Sequence, residues 1–466
     1  TLTVRVPGDT GAAGEAIYVD WVSLTYNGPV DVALSQSRFR TTIANIAING
    51  AGEDLLVFDI SDTGQPVLLT DLHMADQQMH LAAAAGEYVA LEPEQAIRPT
   101  LRAVPEWPQS LLAPGRGAAY VAIVADEPGF MAALEPLLAY RAAQGWPTTA
   151  VSLAQIYDEF SHGQQDPAAI RAFLAYAAQN WQPAPQFVLL AGDPTYDMRM
   201  TDSRHSLLPT YLLHEEDGRI FASDAWFTHF NDSPQTAVSI GRFPVQTLDQ
   251  LKTLVAKTIA YENALATSSA APWQQRALLV ADDEPAFDLV SDNLEATLAS
   301  DGFQIHDLHM SNDENIHYDI VSALNKGVGL VNYIGYGDAA TWGDEQVFRA
   351  QDAPMLGNGD RLPILTAFNC QSGAFSDQNE DSLVVNLLWS ARGGVVAAIG
   401  PSARLYADHS LTLVEQFYAH LLADENQTLG AALLATQTAV ADNEAELTAV
   451  YTLNLLGDPA LSLPKP

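Results

Sequence analysis

The sequence predicts a multidomain protein, in which an N-terminal all-β sandwich precedes two doubly wound α/β subdomains. Three observations predict this fold class. Residues 1–113 contain short β-rich runs that are separated by Gly, Asp and Pro. From about residue 118, apolar strand-like runs alternate with helical patterns. After a linker at 266–275 the same alternation starts again, which predicts α/β subdomains at 114–268 and 269–466.

The N-terminal domain, 1–113, is predicted from runs that suit half-buried strands. The clearest are 17–26, 55–60 and 66–72, where apolar and polar residues alternate or β-branched and aromatic residues cluster. Several such strands with frequent turn residues are typical of a sandwich. The segment 104–119, rich in Pro and Gly, is predicted to be a linker.

The first α/β subdomain is predicted from runs that are apolar throughout, as strands buried on both faces of a parallel sheet are. These strands are 119–125, 147–153, 187–192 and 237–243. Helical patterns occupy 129–145, 167–181 and 247–265. The second of these helices begins with a proline after Asp166, which is a common start signal.

The second α/β subdomain repeats the rhythm. Predicted strands are 277–282, a run near 303, 328–335, 362–369 and 394–400. Predicted helices are 285–302, 316–327, 381–393 and two between 409 and 444.

Composition excludes several classes of protein. The formal net charge of −36 repels phosphate backbones, so we expect no nucleic-acid partner. No apolar run is long enough to span a membrane, and one cysteine excludes an internal disulfide. The acidic balance fits an extracellular or cell-surface protein. Because residues 1–8 already read as a strand and no signal peptide is visible, we expect a processed piece of a longer chain.

The single cysteine, Cys370, follows an apolar run and precedes a small polar loop, 371–375. Another apolar run ends at Gly335, Tyr336 and Gly337. In open α/β sheets, chemistry gathers at the carboxyl ends of strands. Cys370 is therefore a candidate nucleophile, with backbone N–H groups near Gly373 as candidate oxyanion donors. The alternative is a buried, inert thiol, a common fate of free cysteine.

Several motifs resemble the gingipain family of cysteine peptidases. They lie at 189–199, 223–227, 239–247, 329–345, 364–375, 393–403 and 456–463, and the similarity covers about residues 116–463. The run 55–67 resembles the β-rich segment that often precedes such domains. The resemblance implies a caspase-like α/β fold in two subdomains, secretion, and cleavage of a polypeptide substrate by a Cys/His pair.

By this resemblance Cys370 is the nucleophile, and Tyr336 stands where the family has its catalytic histidine. The family also tends to carry an acid before the motif at 239–247, but 235–238 contains none. Trp342 and Tyr406 are implied to line the substrate pocket, and Asp338, Asp344 and Glu345 to shape the cleft. Gln250 stands near where an acidic pocket residue is expected.

A tyrosine with an ordinary pKa near ~10 is a poor base at neutral pH. Four histidines of the second half, His306, His309, His317 and His409, are therefore candidate substitutes. Three interpretations remain open. The protein is a peptidase with a weak base, or an inactive relative that binds polypeptides or builds an assembly, or Tyr336 is an altered residue in an otherwise active protein.

Acidic residues after strands are weak candidates for a structural Ca²⁺ site, which the family often contains. They are Asp193, Asp197, Asp224, Asp282, Asp283 and Glu284. A solvated acidic loop is the simpler explanation of them. The sequence indicates no required cofactor, and it does not predict the oligomeric state.

Overall fold

A computed structural model describes residues 28–33, 36–96, 98, 101, 103–196, 206–214, 219–228, 230, 238–266, 271–313, 315–377, 381–405, 407–424, 427–440 and 449–463. The chain divides into two compact units, Thr1–Val104 and Pro105–Pro466. The predicted strand at 17–26 lies outside the described residues. No helix in the described part of the chain is long and apolar enough to cross a membrane.

The N-terminal unit contains eight short strands in the residues that the structure describes. They are β1 (Val30–Asp31), β2 (Ser37–Thr41), β3 (Asn45–Asn49), β4 (Leu56–Asp59), β5 (Val67–Leu68), β6 (Leu72–Ala75), β7 (Gln78–Ala82) and β8 (Gly86–Leu91). They form two four-stranded sheets, ordered β1-β3-β7-β6 and β2-β8-β4-β5. Alternate residues of both sheets, including Ile48, Val57, Leu81 and Tyr88, share one apolar cluster.

The second unit contains fourteen described strands. They are β9 (Tyr120–Val124), β10 (Thr148–Ser152), β11 (Phe187–Ala191), β12 (Tyr211–His214), β13 (Ile220–Ser223), β14 (Ser239–Phe243), β15 (Arg276–Ala281), β16 (Gln304–His309), β17 (Leu330–Ile334), β18 (Thr341–Trp342), β19 (Phe348–Arg349), β20 (Ile364–Phe368), β21 (Ala397–Pro401) and β22 (Leu453–Leu456). Its described helices are α1 (Phe130–Ala143), α2 (Leu153–Phe160), α3 (Ala168–Asn180), α4 (Leu248–Leu265), α5 (Pro285–Ser300), α6 (Ile316–Lys326), α7 (Leu383–Trp389), α8 (Ala407–Leu421) and α9 (Leu429–Val440).

Ten of these strands form one mixed sheet, in the order β10-β9-β11-β14-β22-β21-β20-β17-β15-β16. All neighbours in it are parallel except β21 and β22, which are antiparallel. The two predicted α/β subdomains are therefore two halves of one sheet within one compact unit. The strand β22 joins them, because it lies between β14 of the first half and β21 of the second.

Helices cover both faces of the second half of the sheet. In β15, Leu278 and Val280 belong to one apolar cluster, whereas Ala277, Leu279 and Ala281 belong to another. The first cluster contains side chains of α6 and α7, and the second contains those of α5, α8 and α9. This alternation explains why residues 277–281 of the strand are all apolar.

Most predicted α/β elements match observed ones within a few residues, but four features were not predicted. They are α2, the hairpins β12–β13 and β18–β19, and the central strand β22. The paired strands of the second hairpin have two residues each, too few for periodicity to reveal. The helix α2 follows β10 without a loop, with Ser152 as the cap whose hydroxyl accepts the N–H of Gln155.

Two buried arginines join distant parts of this unit. Arg141 pairs with Glu262 and Asp458, and Arg242 pairs with Asp224 through two nitrogens at 2.6 and 2.7 Å. Arg242 also donates to the carbonyl oxygens of Gly192, Leu208 and Pro209. Both arginines therefore have a structural role. The candidate calcium ligand Asp224 is already engaged in an ion pair with Arg242.

Candidate active site

Four neighbouring strands bring the candidate residues to one edge of the sheet. The strand β20 ends just before Cys370, and its neighbour β17 ends just before Tyr336. The next strand, β15, ends just before Asp282, and the edge strand β16 ends at His309. The register pairs Phe368 with Ile334 and Ile334 with Ala281. Cys370 and Tyr336 therefore follow the ends of adjacent parallel strands.

Cys370 is partly buried, and its thiol donates to the carbonyl oxygen of Leu405 at 3.7 Å. The next residue, Gln371, has a positive φ of 61°, which turns the chain sharply away from the strand. Its N–H donates to the carbonyl oxygen of Ala403 at 3.1 Å. The loop after β21 therefore fixes the turn that presents the thiol.

Gly373 was predicted to offer an oxyanion donor, and the structure uses its N–H otherwise. That N–H donates to the carbonyl oxygen of Pro401 at 3.0 Å. A side chain at this position is excluded, because a Cβ would lie 2.6 Å from the backbone of Gly400. Gly373 therefore permits close approach of two backbones and is not free to bind an oxyanion in this conformation.

The turn around Tyr336 needs both of its glycines. Gly335 and Gly337 have φ values of 158° and 153°, in a region that disfavours residues with side chains. A Cβ on Gly335 would lie 2.3 Å from Cβ of Asp282, and one on Gly337 would lie 2.5 Å from the carbonyl oxygen of Thr341. The predicted Gly-Tyr-Gly pattern is therefore a steric requirement of this turn.

Hydrogen bonds hold the backbone of Tyr336 on both sides. Its N–H donates to Oδ2 of Asp282 at 2.7 Å, and its carbonyl oxygen accepts the hydroxyl of Tyr333 at 2.6 Å. The Asp282 carboxylate is buried, and its Oδ1 accepts the N–H of Asp283. Burial, partly offset by these N–H donors, raises the pKa of Asp282.

The side chain of Tyr336 is 44% exposed and packs edge-on against Phe287, with ring centroids 5.4 Å apart. The negative charge of Glu284 raises the pKa of the Tyr336 phenol, with smaller contributions from burial, Asp282, Cys370 and Asp283. The phenol therefore stays protonated at neutral pH and is a poorer base than an ordinary tyrosine.

Trp342 was predicted to line the substrate pocket, but the structure places its side chain in the core. Its side chain is fully buried and stacks on Tyr333, with ring centroids 4.4 Å apart and planes within 6°. It also packs against Phe348. The position of Trp342 after a glycine-rich turn suggested a place in the cleft. The hairpin β18–β19 instead directs its side chain into the core. The second predicted pocket residue, Tyr406, lies outside the described residues.

The candidate pocket residue Gln250 has a structural role instead. Its Oε1 accepts the N–H of Gln246 and of Thr247, while its own N–H donates to the Thr247 hydroxyl. These contacts cap the first turn of α4. Asp338 likewise closes its own loop, because its Oδ1 accepts the N–H of Ala340 and of Thr341. Asp344 and Glu345 are exposed, and the charge of Glu345 helps to raise the pKa of Asp282.

The candidate histidines have different environments. His306 is exposed on the edge strand β16. Both ring nitrogens of His309 face carboxylates. His309 ends β16, which is three strands from β20, or about 14 Å from the end of β20 at ordinary strand spacing. His317 bonds to the carbonyl oxygen of Val347 through Nδ1. His409 lies in the first turn of α8, four residues after Leu405.

The candidate calcium ligands are not gathered into one group. Asp193 is fully buried, and its Oδ2 accepts Nε2 of Gln246 at 3.3 Å. Asp197 lies outside the described residues. Carboxylate oxygens of Asp282, Asp283 and Glu284 lie within 4.8 Å of one another. Burial, with the charges of Asp282 and Asp283, raises the pKa of Glu284.

Sequence reasoning missed the residue that holds the Tyr336 turn. The sequence predicts Asp282 only as a weak candidate metal ligand, although this residue follows β15, the strand beside β17. The sequence signal for this contact was that both residues follow predicted parallel strands. The two strands are adjacent in the sheet, so Asp282 and Tyr336 lie side by side although they are 54 residues apart in sequence.

The sequence model of peptidase family C25 matches residues 113–464, about three quarters of the chain. The chain belongs to peptidase family C25. Gingipain R2 of Porphyromonas gingivalis is 28% identical over 196 residues, which are 41% of this chain and 24% of that protein. Gingipain R1 of the same species is also 28% identical over 196 residues, 18% of its length. The chain thus spans less than a quarter of the curated relatives it matches here.

Solved structures show the same fold for this C25 domain. The Arg-specific cysteine proteinase gingipain R matches with a TM-score of 0.63 and 21% identity, over 75% of this chain and 78% of that one. The complex of Porphyromonas gingivalis RgpB pro- and mature domains matches with a TM-score of 0.62 and 21% identity, over 75% and 80%. The predicted gingipain-like, caspase-like α/β fold is therefore confirmed.

Proposed function

We propose that this C25 peptidase domain hydrolyses peptide bonds through the thiolate of Cys370, at a rate limited by the lack of a good base at Tyr336. The observation that carries the proposal is the placement of Cys370 and Tyr336 after the ends of adjacent parallel strands. Membership of a peptidase family supports a polypeptide substrate.

The proposed reaction has two steps. The Cys370 sulfur attacks the peptide carbonyl carbon, the C–N bond breaks, and the amine leaves with the thiol's proton, which leaves an acyl thioester. Water then attacks the thioester carbon, releases the acid and returns the proton to sulfur. In the loop that follows, the N–H groups of Gln371, Gly373 and Ala374 are engaged. We assign oxyanion binding to the N–H of Cys370, which belongs to the same residue as the attacking sulfur.

Tyr336 stands, in this proposal, at the place of the family's catalytic histidine. Its raised pKa supports impairment, because a protonated phenol cannot accept the thiol proton. Loss of the base from a nucleophile–base unit costs about 10⁴-fold or more in rate, although a thiol is less dependent on it than a hydroxyl.

A second candidate function is binding of a polypeptide without cleavage. The exposed ring of Tyr336, packed edge-on against Phe287, supports this function. An aromatic surface beside an unreactive thiol can bind a polypeptide without cleaving it. We place either form outside the cell or at its surface, as part of a longer precursor, in keeping with the gingipains it resembles. The two N-terminal sheets are proposed to pack as a sandwich.

A structural Ca²⁺ also stays a proposal. The proximity of the Asp282, Asp283 and Glu284 carboxylates supports it, and catalysis in the proposed mechanism requires no cofactor.

The deciding experiment compares four proteins for cleavage of a mixed peptide library and for alkylation of the thiol by iodoacetamide. They are the unaltered chain, Cys370→Ala, Tyr336→His and His409→Gln. We expect slow cleavage by the unaltered chain, none by Cys370→Ala, and cleavage faster by up to about 10⁴-fold in Tyr336→His. Loss of activity in His409→Gln would identify that histidine as the base. If only Tyr336→His cleaves peptides, the binding function replaces the peptidase function. If folded Tyr336→His is also inert, the proposed site is refuted.

A further inference from the structure

His309 has carboxylate oxygens against both of its ring nitrogens. Its Nδ1 lies 2.6 Å from Oδ1 of Asp288, and its Nε2 lies 2.9 Å from Oδ2 of Asp307 and 3.7 Å from Oδ1 of Asp292. A neutral imidazole carries one N–H and one lone pair. If Nδ1–H donates to Asp288, the lone pair of a neutral Nε2 faces two carboxylates, which is repulsive unless a proton or a metal cation lies between them.

The charges of this group are not balanced by neighbouring side chains. Among the described residues, no lysine or arginine forms an ion pair with Asp288, Asp292 or Asp307. Even a protonated His309 leaves two of the three negative charges uncompensated. Two members are also poorly solvated, because the side chains of His309 and Asp307 are 16% and 11% exposed.

We propose that His309 Nε2, Asp307 and Asp292 bind a first-row divalent cation of the Zn²⁺ class. Ligands on a tetrahedral zinc, with bonds near 2.0–2.2 Å, lie about 3.3 Å apart. The distances from Nε2 to Asp307 and Asp292 are 2.9 and 3.7 Å, on either side of that value. The three ligand atoms all lie within 4.8 Å of one another.

Neighbouring groups hold the ligands in place. Asp288 accepts Nδ1–H of His309 and thereby turns Nε2 toward the cation, a common arrangement around metal-binding histidines. Its other oxygen accepts the hydroxyl of Ser311 at 3.2 Å. The oxygen of Asp307 that does not face the ring accepts the hydroxyl of Ser291 at 2.9 Å. The outer contacts of a metal site are thus present.

Local structure explains how the four residues meet. Asp288 and Asp292 are four residues apart on α5 and share a face of that helix. Asp307 and His309 are two residues apart on β16 and share a face of that strand. The mixed nitrogen and oxygen ligands favour Zn²⁺ over Ca²⁺ or Mg²⁺, which prefer oxygen alone. Three protein ligands leave a fourth position for water.

The test uses the full chain after chelation and titrates Zn²⁺ alone, then Co²⁺ alone as a coloured substitute. We expect one cation per chain, a rise in the temperature of thermal unfolding, and a visible absorption band with Co²⁺. His309→Gln and Asp292→Asn abolish all three effects. His306→Gln is the matched control, because His306 is exposed on the same strand, and it keeps them.

Two results would overturn the proposal. One is retention of the cobalt band in a folded His309→Gln protein, which would place the cation on one of the other histidines. The other is the absence of binding of both Zn²⁺ and Co²⁺ to the folded, unaltered chain. Far-ultraviolet circular dichroism checks the fold of each variant. Asp288→Asn weakens binding about 10- to 100-fold without abolishing it, because Asp288 orients His309 and is not a ligand.

Discussion

The N–H of Tyr336 donates a 2.7 Å hydrogen bond to the buried carboxylate of Asp282, at the end of the neighbouring strand. This bond connects the turn beside Cys370 to β15 and to the start of α5. It determines where the backbone of residue 336 lies, whatever side chain that residue carries.

Asp282→Ala is expected to destabilise the protein by about 1–3 kcal/mol, because it removes the acceptor of the Tyr336 N–H in a buried place. Asp282→Asn keeps one acceptor and removes the charge. Since burial raises the folded pKa of Asp282 above 3.8, ionisation lowers stability as pH rises from that value through the raised pKa. Asn therefore costs less than Ala, and its disadvantage shrinks as pH rises through this window.

Urea unfolding of both variants, measured at several pH values, tests this prediction. Asp301→Asn, at an exposed carboxylate that follows α5, is the control. Equal loss of stability in the Ala and Asn variants would mean that the hydrogen bond does not hold the turn.

Tyr336→Phe is expected to leave the alkylation rate of Cys370 within about threefold from about pH 6 to about pH 8. The phenol is protonated throughout this range, because Glu284 and its neighbours raise its pKa. The ring and its contact with Phe287 remain. Iodoacetamide labelling followed by mass spectrometry measures the rate. A tenfold or larger decrease would show that the hydroxyl assists the thiol after all.

Lys257 is buried in α4, and its ammonium donates to the carbonyl oxygen of Leu388 at 2.7 Å. Burial lowers its pKa to about 7 from 10.5. Between these values the unfolded chain binds the proton and the folded chain does not, so stability rises with pH from about 7 upward. Lys257→Met is expected to flatten this rise.

Free energies of unfolding in urea, at about pH 7, 8 and 9, check the slope. Lys252→Met, at an exposed site on the same helix, keeps the slope of the unaltered protein. Identical slopes in all three proteins would contradict the assignment.

Trp342→Ala is expected to lower the free energy of unfolding by about 3–5 kcal/mol, because it empties the space against Tyr333 and Phe348. Trp342→Phe costs less, since it keeps an aromatic ring. Guanidinium unfolding measures both. If the Trp342→Ala protein is as stable as the unaltered chain but binds peptides differently, Trp342 lines the substrate pocket and its burial is not its main role.

Much of the α/β unit could be predicted from sequence, because strands such as 187–191 and 364–368 are wholly or mostly apolar and helices such as 248–265 begin with clear caps. The adjacency of Cys370 and Tyr336 followed from two strand ends. Pairing across the chain was harder to predict. β22 joins the two halves of the sheet through four residues, too few to show its position between β14 and β21.

The side-chain roles were predicted least well. Three predicted site residues belong to family motifs or lie near them, yet each has a structural role. They are Trp342, which packs in the core, and Gln250 and Gly373, which form structural hydrogen bonds. The sequence shows that Trp342 is a residue type suited to a cleft. It does not show that the hairpin β18–β19 directs this side chain into the core. The carboxylates around His309 come from a helix and a strand that only the fold brings together.

The position of β22 in the middle of the ten-stranded sheet has a consequence for synthesis of the chain. During translation, the strands up to β14 and those from β15 to β21 emerge before residues 453–456. Until then each half exposes an unpaired central edge, which is a template for association with other chains. We therefore expect the nascent chain to need protection by chaperones, or rapid elongation, until β22 emerges and fills the gap.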